Sequence, residues 1–95
     1  AERPARAPDA PHLNQNYPNP FNPTTTITFC LPLRTTVSLK VFDAIGREVS
    51  KLVEEELSPG AHSYQWTAEG MASGIFIYRL QAGSFVETKK FLLLR

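Results

Sequence analysis

Apolar and polar residues alternate with a period of two through most of this chain. Ile27, Phe29 and Leu31 alternate with Thr26, Thr28 and Cys30, and Val37, Leu39 and Val41 alternate with Ser38, Lys40 and Phe42. That period sends one set of side chains to a buried face and the other to water, which predicts half-buried strands. Pro32, lacking an N–H for the ladder, ends the first strand. Asp43-Ala44-Ile45-Gly46 comes after the second: Asp at the first turn position and Gly at the fourth suit a type I turn, so the second and third strands form a hairpin. Residues 47–53 alternate poorly, with Val49, Lys51 and Val53 on one face and Glu48, Ser50 and Leu52 on the other. This predicts an edge strand whose Lys51 guards the open ladder. A helix over residues 48–56 competes, since Val49, Leu52 and Val53 also stand at i, i+3 and i+4.

Leu57-Ser58-Pro59-Gly60 is a turn signal, and after it His62, Tyr64 and Trp66 alternate with Ser63, Gln65 and Thr67. Trp66, the only tryptophan, is expected to anchor the core. Small residues over 68–74 form a loop before a strand over 75–81, where Phe76, Tyr78 and Leu80 oppose Ile75, Ile77 and Arg79. Two largely apolar faces predict a central strand. Ala82-Gly83-Ser84 closes a short hairpin, Gly83 supplying positive φ. The last strand covers 85–94, with Phe91 and Leu93 on the face opposite Lys90. Short strands separated by turn signals about every ten residues predict an all-β, immunoglobulin-like β-sandwich of about seven antiparallel strands; periodicity alone leaves a small barrel open.

Upstream of these strands stands Asn16-Tyr17-Pro18-Asn19-Pro20-Phe21-Asn22-Pro23. Its prolines fix φ, remove backbone donors and push their predecessors to extended geometry, so no helix forms there. The asparagines can close local side-chain turns, and the rings of Tyr17 and Phe21 are expected to dock on the downstream strands, making a rigid extended clamp. Residues 1–12, with prolines, alanines and charges but no periodicity, read as an interdomain linker. The domain is therefore expected over 13–95, with the upstream domains of a larger parent protein before it.

Composition narrows the function classes. At 95 residues and 42% hydrophobic content, one domain can bury about two-thirds of the surface its unfolded chain exposes. A net charge of +1 gives no field to draw nucleic acid or an anionic membrane. Cys30 is the only cysteine, so no internal disulfide is available. No apolar run is long enough to span a membrane as a helix. Glu54-Glu55-Glu56 reads as a solvated, charge-rich turn, and His62 as a rim residue with no titratable companion, His12 lying in the linker. Neither a nucleophile with its base nor metal-ligand spacing occurs, so no cofactor or metal is expected and the chain reads as non-catalytic. A carbohydrate-binding module of a secreted hydrolase is the alternative, with Tyr17, Phe21 and Phe42 as its exposed rings.

Residues 16–29 resemble the opening of the C-terminal sorting domain of type IX secretion substrates of the Bacteroidetes, in its type A form. The block running from Val37 through Val-Phe-Asp-Ala-Ile-Gly to Val49 resembles that family's second block, Ala72-Ser73-Gly74 through Leu80 its third, and Thr88 through Arg95 its fourth. The middle blocks are also similar to the immunoglobulin-like domain of the flagellar hook-capping protein. The resemblance implies a module read by the outer-membrane type IX machinery after transit of the periplasm, removed by a sortase-like cysteine protease, and leaving the parent at the cell surface or outside. The domain is expected to be monomeric. Lys89 and Lys90, with Phe91, Leu92, Leu93, Leu94 and Arg95 as the docking strand, carry recognition in this reading. Asn16, Tyr17, Pro18, Asn19, Pro20, Phe21, Asn22, Pro23, Gly46, Gly74 and Gly83 set the shape. A receptor would extend the open edge of that strand, a role competing with simple edge protection by the lysines.

Overall fold

A computed structural model describes residues 10–94. Their seven strands are β1 (His12–Leu13), β2 (Thr24–Leu31), β3 (Thr35–Asp43), β4 (Glu48–Leu57), β5 (Gly60–Thr67), β6 (Gly74–Ala82) and β7 (Phe85–Leu93), with no helix among the described residues. One sheet has the order β1-β2-β5 and the other β4-β3-β6-β7, and every pairing is antiparallel. This is an immunoglobulin-like β-sandwich. Ile27, Phe29 and Leu31 face Val37, Leu39 and Val41 and the row Phe76, Tyr78 and Leu80, all buried, so the inward sets read from the alternation form the core. β6 is central, between β3 and β7.

β4 explains its own poor alternation. Val53 pairs with Leu39 but Lys51 with Lys40, and Ser50 pairs with Val41 but Glu48 with Phe42, so Leu52 and Val49 are each an extra residue in the strand. Each bulge turns the following side chains over. Val49, Leu52 and Val53 consequently all reach the core, the spacing that also suggested a helix. The helix does not form. Nor do Glu54, Glu55 and Glu56 sit in a turn: they extend β4 opposite Ser38, Val37 and Thr36, with their side chains exposed. The edge position of β4 is as expected, and Lys51 there pairs with Glu54 at 2.8 Å.

The β3–β4 turn is held by Asp43. Its carbonyl accepts the Gly46 N–H, and its Oδ1 accepts from Ile45 and Arg47 N–H at 3.1 and 2.9 Å. Gly46 takes φ +91°, where an L side chain is strained. Gly83 opens the two-residue β6–β7 loop at φ +62°, and a Cβ there would stand 3.3 Å from Thr35 Oγ1.

The segment before β2 is not an extended clamp. It bends after Tyr17 and again after Phe21, with cis peptide bonds before Pro18, Pro20 and Pro23. Nor do both rings dock. Phe21 is 2% exposed, whereas Tyr17 is 80% exposed. Tyr17 exchanges both backbone hydrogen bonds with Thr26, and residues directly opposite in an antiparallel pair share a face, so its ring points outward with the Thr26 side chain. The inward place goes to Asn16, 3% exposed, whose Nδ2 donates to Pro18 O and Thr25 Oγ1. His12, counted with the linker in the sequence, pairs with Cys30; residues 1–9 of that linker lie outside the described residues.

Tyr78 ties this segment to the opposite sheet. Its hydroxyl donates to Asn14 O at 2.7 Å and accepts from Asn16 N–H at 2.8 Å. Burial pushes the phenol from its ordinary value near 10 up to about 12. Because the folded state holds this proton more tightly, the stabilisation is complete below pH 10 and is lost as pH rises toward 12.

Tyr78→Phe leaves the Asn16 N–H buried without an acceptor and should cost about 1–3 kcal/mol, read as a lower Tm at pH 7. Melts between pH 9 and 12 should also show a smaller alkaline loss in the variant than in the parent chain. Phe21→Ala should cost about 3–5 kcal/mol, while Tyr17→Ala should stay within about 0.5 kcal/mol, a difference denaturant titration resolves directly.

Candidate recognition surface on the terminal strand

β7 separates the residues singled out from the sequence onto two faces, as the period of a strand requires. Phe91 and Leu93 point inward and are buried. Glu87 and Lys89 lie on that same side toward the open flank of the sandwich, half-buried, with Lys89 Nζ 3.5 Å from Glu87. Lys90, Leu92 and Leu94 point outward. The two lysines therefore do not make one patch: Lys89 points inward and is paired with Glu87, and Lys90 alone is freely exposed. Arg95 lies outside the described residues.

The outer face around Lys90 is built from three strands. Lys90 and Leu92 are opposite Ile77 and Ile75 of β6, and Ile77 is opposite Phe42 of β3. Ile75 and Leu94 are 43% and 49% exposed, leaving an apolar strip beside Lys90. Arg79 closes one end of the strip, its guanidinium 4.7 Å above the Phe42 ring. Gly74 begins β6 opposite Leu93, where the strip ends.

The edge of β7 is not open along the proposed docking strand. Leu92 turns its backbone away from β6: its N–H donates to Asn19 Oδ1 at 3.0 Å and its carbonyl accepts the Phe21 N–H at 3.0 Å. Leu94 N–H donates to Phe21 O, and Gln15 Nε2 reaches Lys90 O at 2.9 Å. The Asn-Pro segment thus occupies the ladder groups that a receptor strand would need at Leu92 and Leu94. Nothing in the sequence pairs Asn19 with a residue 73 positions away; the rings of Tyr17 and Phe21 held between prolines are what mark the segment as more than a linker.

Under this edge lies an aromatic cluster. The Phe21 ring stacks on Phe91 at 5.2 Å and stands 5.9 Å from Trp66, and Trp66 meets Phe76 at 5.5 Å. Trp66 is the anchor expected of it. Of the rings offered to a glycan, Phe21 is buried and Phe42 lies under Arg79, so neither presents a free face; Tyr17 alone is open.

Among the described residues, titratable side chains gather nowhere into a site. Among the described residues no group of His, Cys, Asp and Glu is placed to hold a metal. His62 stacks on Phe29 at 5.5 Å and its Nε2 meets Ser58 O at 2.8 Å, which makes it the rim residue expected. The Arg47 N–H and guanidinium on Asp43 hold that carboxyl below its ordinary range, a consequence of the turn.

Comparison with known proteins bears on the whole domain. The family described as "Secretion system C-terminal sorting domain" matches residues 15–94. No curated protein sequence matches the chain. A solved structure of PorZ, described as an essential bacterial surface component of the type-IX secretion system of Porphyromonas gingivalis, is similar at 25% identity with a TM-score of 0.58. The similarity covers 85% of this chain but 11% of PorZ, so it concerns one domain of that protein. Over a match spanning β2 through β7 and the segment that closes the β7 edge, the chain belongs to the secretion system C-terminal sorting domain family.

Proposed function

We propose that this chain is a non-catalytic module that directs a larger protein through the type IX secretion machinery to the outer-membrane surface or beyond. The observation that carries the reading is the family match over residues 15–94. The type A form, the relation to the flagellar hook-capping domain, passage through the periplasm and removal by a sortase-like cysteine protease, cutting upstream of β1, belong to the same proposal. The outward strip of β7 is the recognition surface in this reading: Lys90 supplies an unpaired charge among the described residues, and Leu92 and Leu94 supply apolar contact beside it. Lys89 and Gly83 act through the fold, the one by its pair with Glu87 and the other by the hairpin turn. Phe91 and Leu93 contribute as core.

The test is export of a reporter carrying the whole chain at its C-terminus in a type IX-competent cell. Lys90→Glu changes an exposed side chain and should alter stability by no more than about 0.5 kcal/mol, yet surface display of the reporter should fall at least severalfold. Lys89→Glu sets a second carboxylate beside Glu87 and should instead lower Tm. Surface display unchanged by Lys90→Glu would remove Lys90 from recognition, and retention of the unaltered fusion in the periplasm would overturn the sorting function.

A further inference from the structure

The edge of β7 is closed only in part. Because Leu92 directs both backbone groups away from β6, and the β6–β7 register runs without a bulge from Leu93 to Phe85, Lys90, Thr88 and Val86 direct theirs the same way. Lys90 O is met by Gln15, but among the described residues no group meets the outward N–H of Val86, Thr88 or Lys90, or the carbonyls of Val86 and Thr88. Their side chains are all exposed, Val86 at 54%. The free stretch is bounded at one end by the Gly83-Ser84 turn and at the other by the segment seated on Leu92. Its midpoint is Thr88.

We propose that two copies of this chain join edge to edge along residues 86–90 of β7, antiparallel, about a two-fold axis through Thr88. The backbone fits this arrangement, since Thr88 stands opposite Thr88 and Val86 opposite Lys90, each an outward-facing residue that can exchange N–H and C=O with its counterpart. Lys90 O keeps a lone pair for the second bond. The charges select the register. About Thr88, Glu87 of one copy stands opposite Lys89 of the other, twice, extending the Glu87–Lys89 pair already present in each copy into an alternating square. A slip of two residues in either direction sets Glu87 against Glu87 or Lys89 against Lys89. A slip of one turns inward residues outward.

The other free edges lack this selection. β4 is interrupted by two bulges, which discourage pairing, and its consecutive Glu54, Glu55 and Glu56 would set carboxylate against carboxylate across a two-fold axis. β5 has a regular edge but carries no Asp, Glu, Lys or Arg to fix a register. The proposal does not depend on the sorting function.

Sedimentation velocity on the full chain tests it. An edge pairing this short is smaller than a standard interface, so dimer should accumulate over roughly 10 µM to 1 mM rather than persist on dilution. Thr88→Pro removes a donor that faces away from β6, which a strand edge tolerates; it should leave the Tm within a few degrees of the parent while weakening association roughly tenfold or more, by the loss of the central pair of hydrogen bonds. Glu87→Lys should abolish the dimer by setting like charges opposite, and Glu87→Lys with Lys89→Glu should restore it. A chain monomeric across the whole range overturns the proposal. So does a dimer that survives both Thr88→Pro and Glu87→Lys, since its contact would lie elsewhere.

Discussion

The Tyr78 hydroxyl joins two parts that the strand pairings alone leave separate. It rises from the central strand β6 and takes one bond from Asn16 and gives one to Asn14, so a single buried group fixes the segment that leaves β1 against the four-stranded sheet. Each of these backbone groups is polar and beneath the surface, where a missing partner costs more than a made bond contributes. The choice of Tyr over Phe in an otherwise apolar row stems from that asymmetry. Asn16 then passes the constraint on, because with its N–H held by Tyr78 its side chain is placed to bridge Pro18 O and Thr25 Oγ1.

From there the segment crosses to the far edge of the other sheet. Gln15, Asn19 and Phe21 bond in turn to Lys90, Leu92 and Leu94, while the Phe21 ring enters the cluster of Phe91, Trp66 and Phe76. A three-stranded sheet opposite a four-stranded one leaves one flank uncovered, and this crossing covers part of it. Prolines suit the task, since each position they occupy needs no donor and a ladder of ordinary residues would offer more N–H groups than β7 can accept.

Most of the sandwich was legible in the sequence because period-two alternation is a local property. Ile27 through Leu31, Val37 through Val41 and Phe76 through Leu80 each declare their buried face without reference to the rest of the chain. β4 was legible only in part, for a bulge is decided jointly by two strands: Val49 and Leu52 become extra residues only once the pairing of β3 with β4 is known. The Asn-Pro segment was misread for a related reason. Judged by side-chain polarity, Tyr17 should be inside and Asn16 outside; pairing with Thr26 reverses them, and Asn16 is admitted to the interior because each of its buried donors finds an acceptor. The candidate site suffered most. Lys89 and Lys90 are adjacent in sequence, and adjacency in a strand means opposite faces.

Sequence distance gives the β7 edge a further character. The contacts that finish it link residues 75 and 73 positions apart, Gln15 with Lys90 and Asn19 with Leu92, so they form only when nearly the whole domain has assembled. Long-range contacts of this kind carry the largest loop-closure cost and reward the chain last. The outward strip of Lys90, Leu92 and Leu94 owes its setting to them, because Leu92 is held by Asn19 and Phe21, and Leu94 by Phe21. A partner that reads this strip in its native arrangement therefore reads a folded domain rather than a C-terminal peptide. A peptide of the last residues would present the same side chains on a strand with no fixed face, and the energy of binding would have to supply the order that Tyr78 and the segment it holds provide in advance.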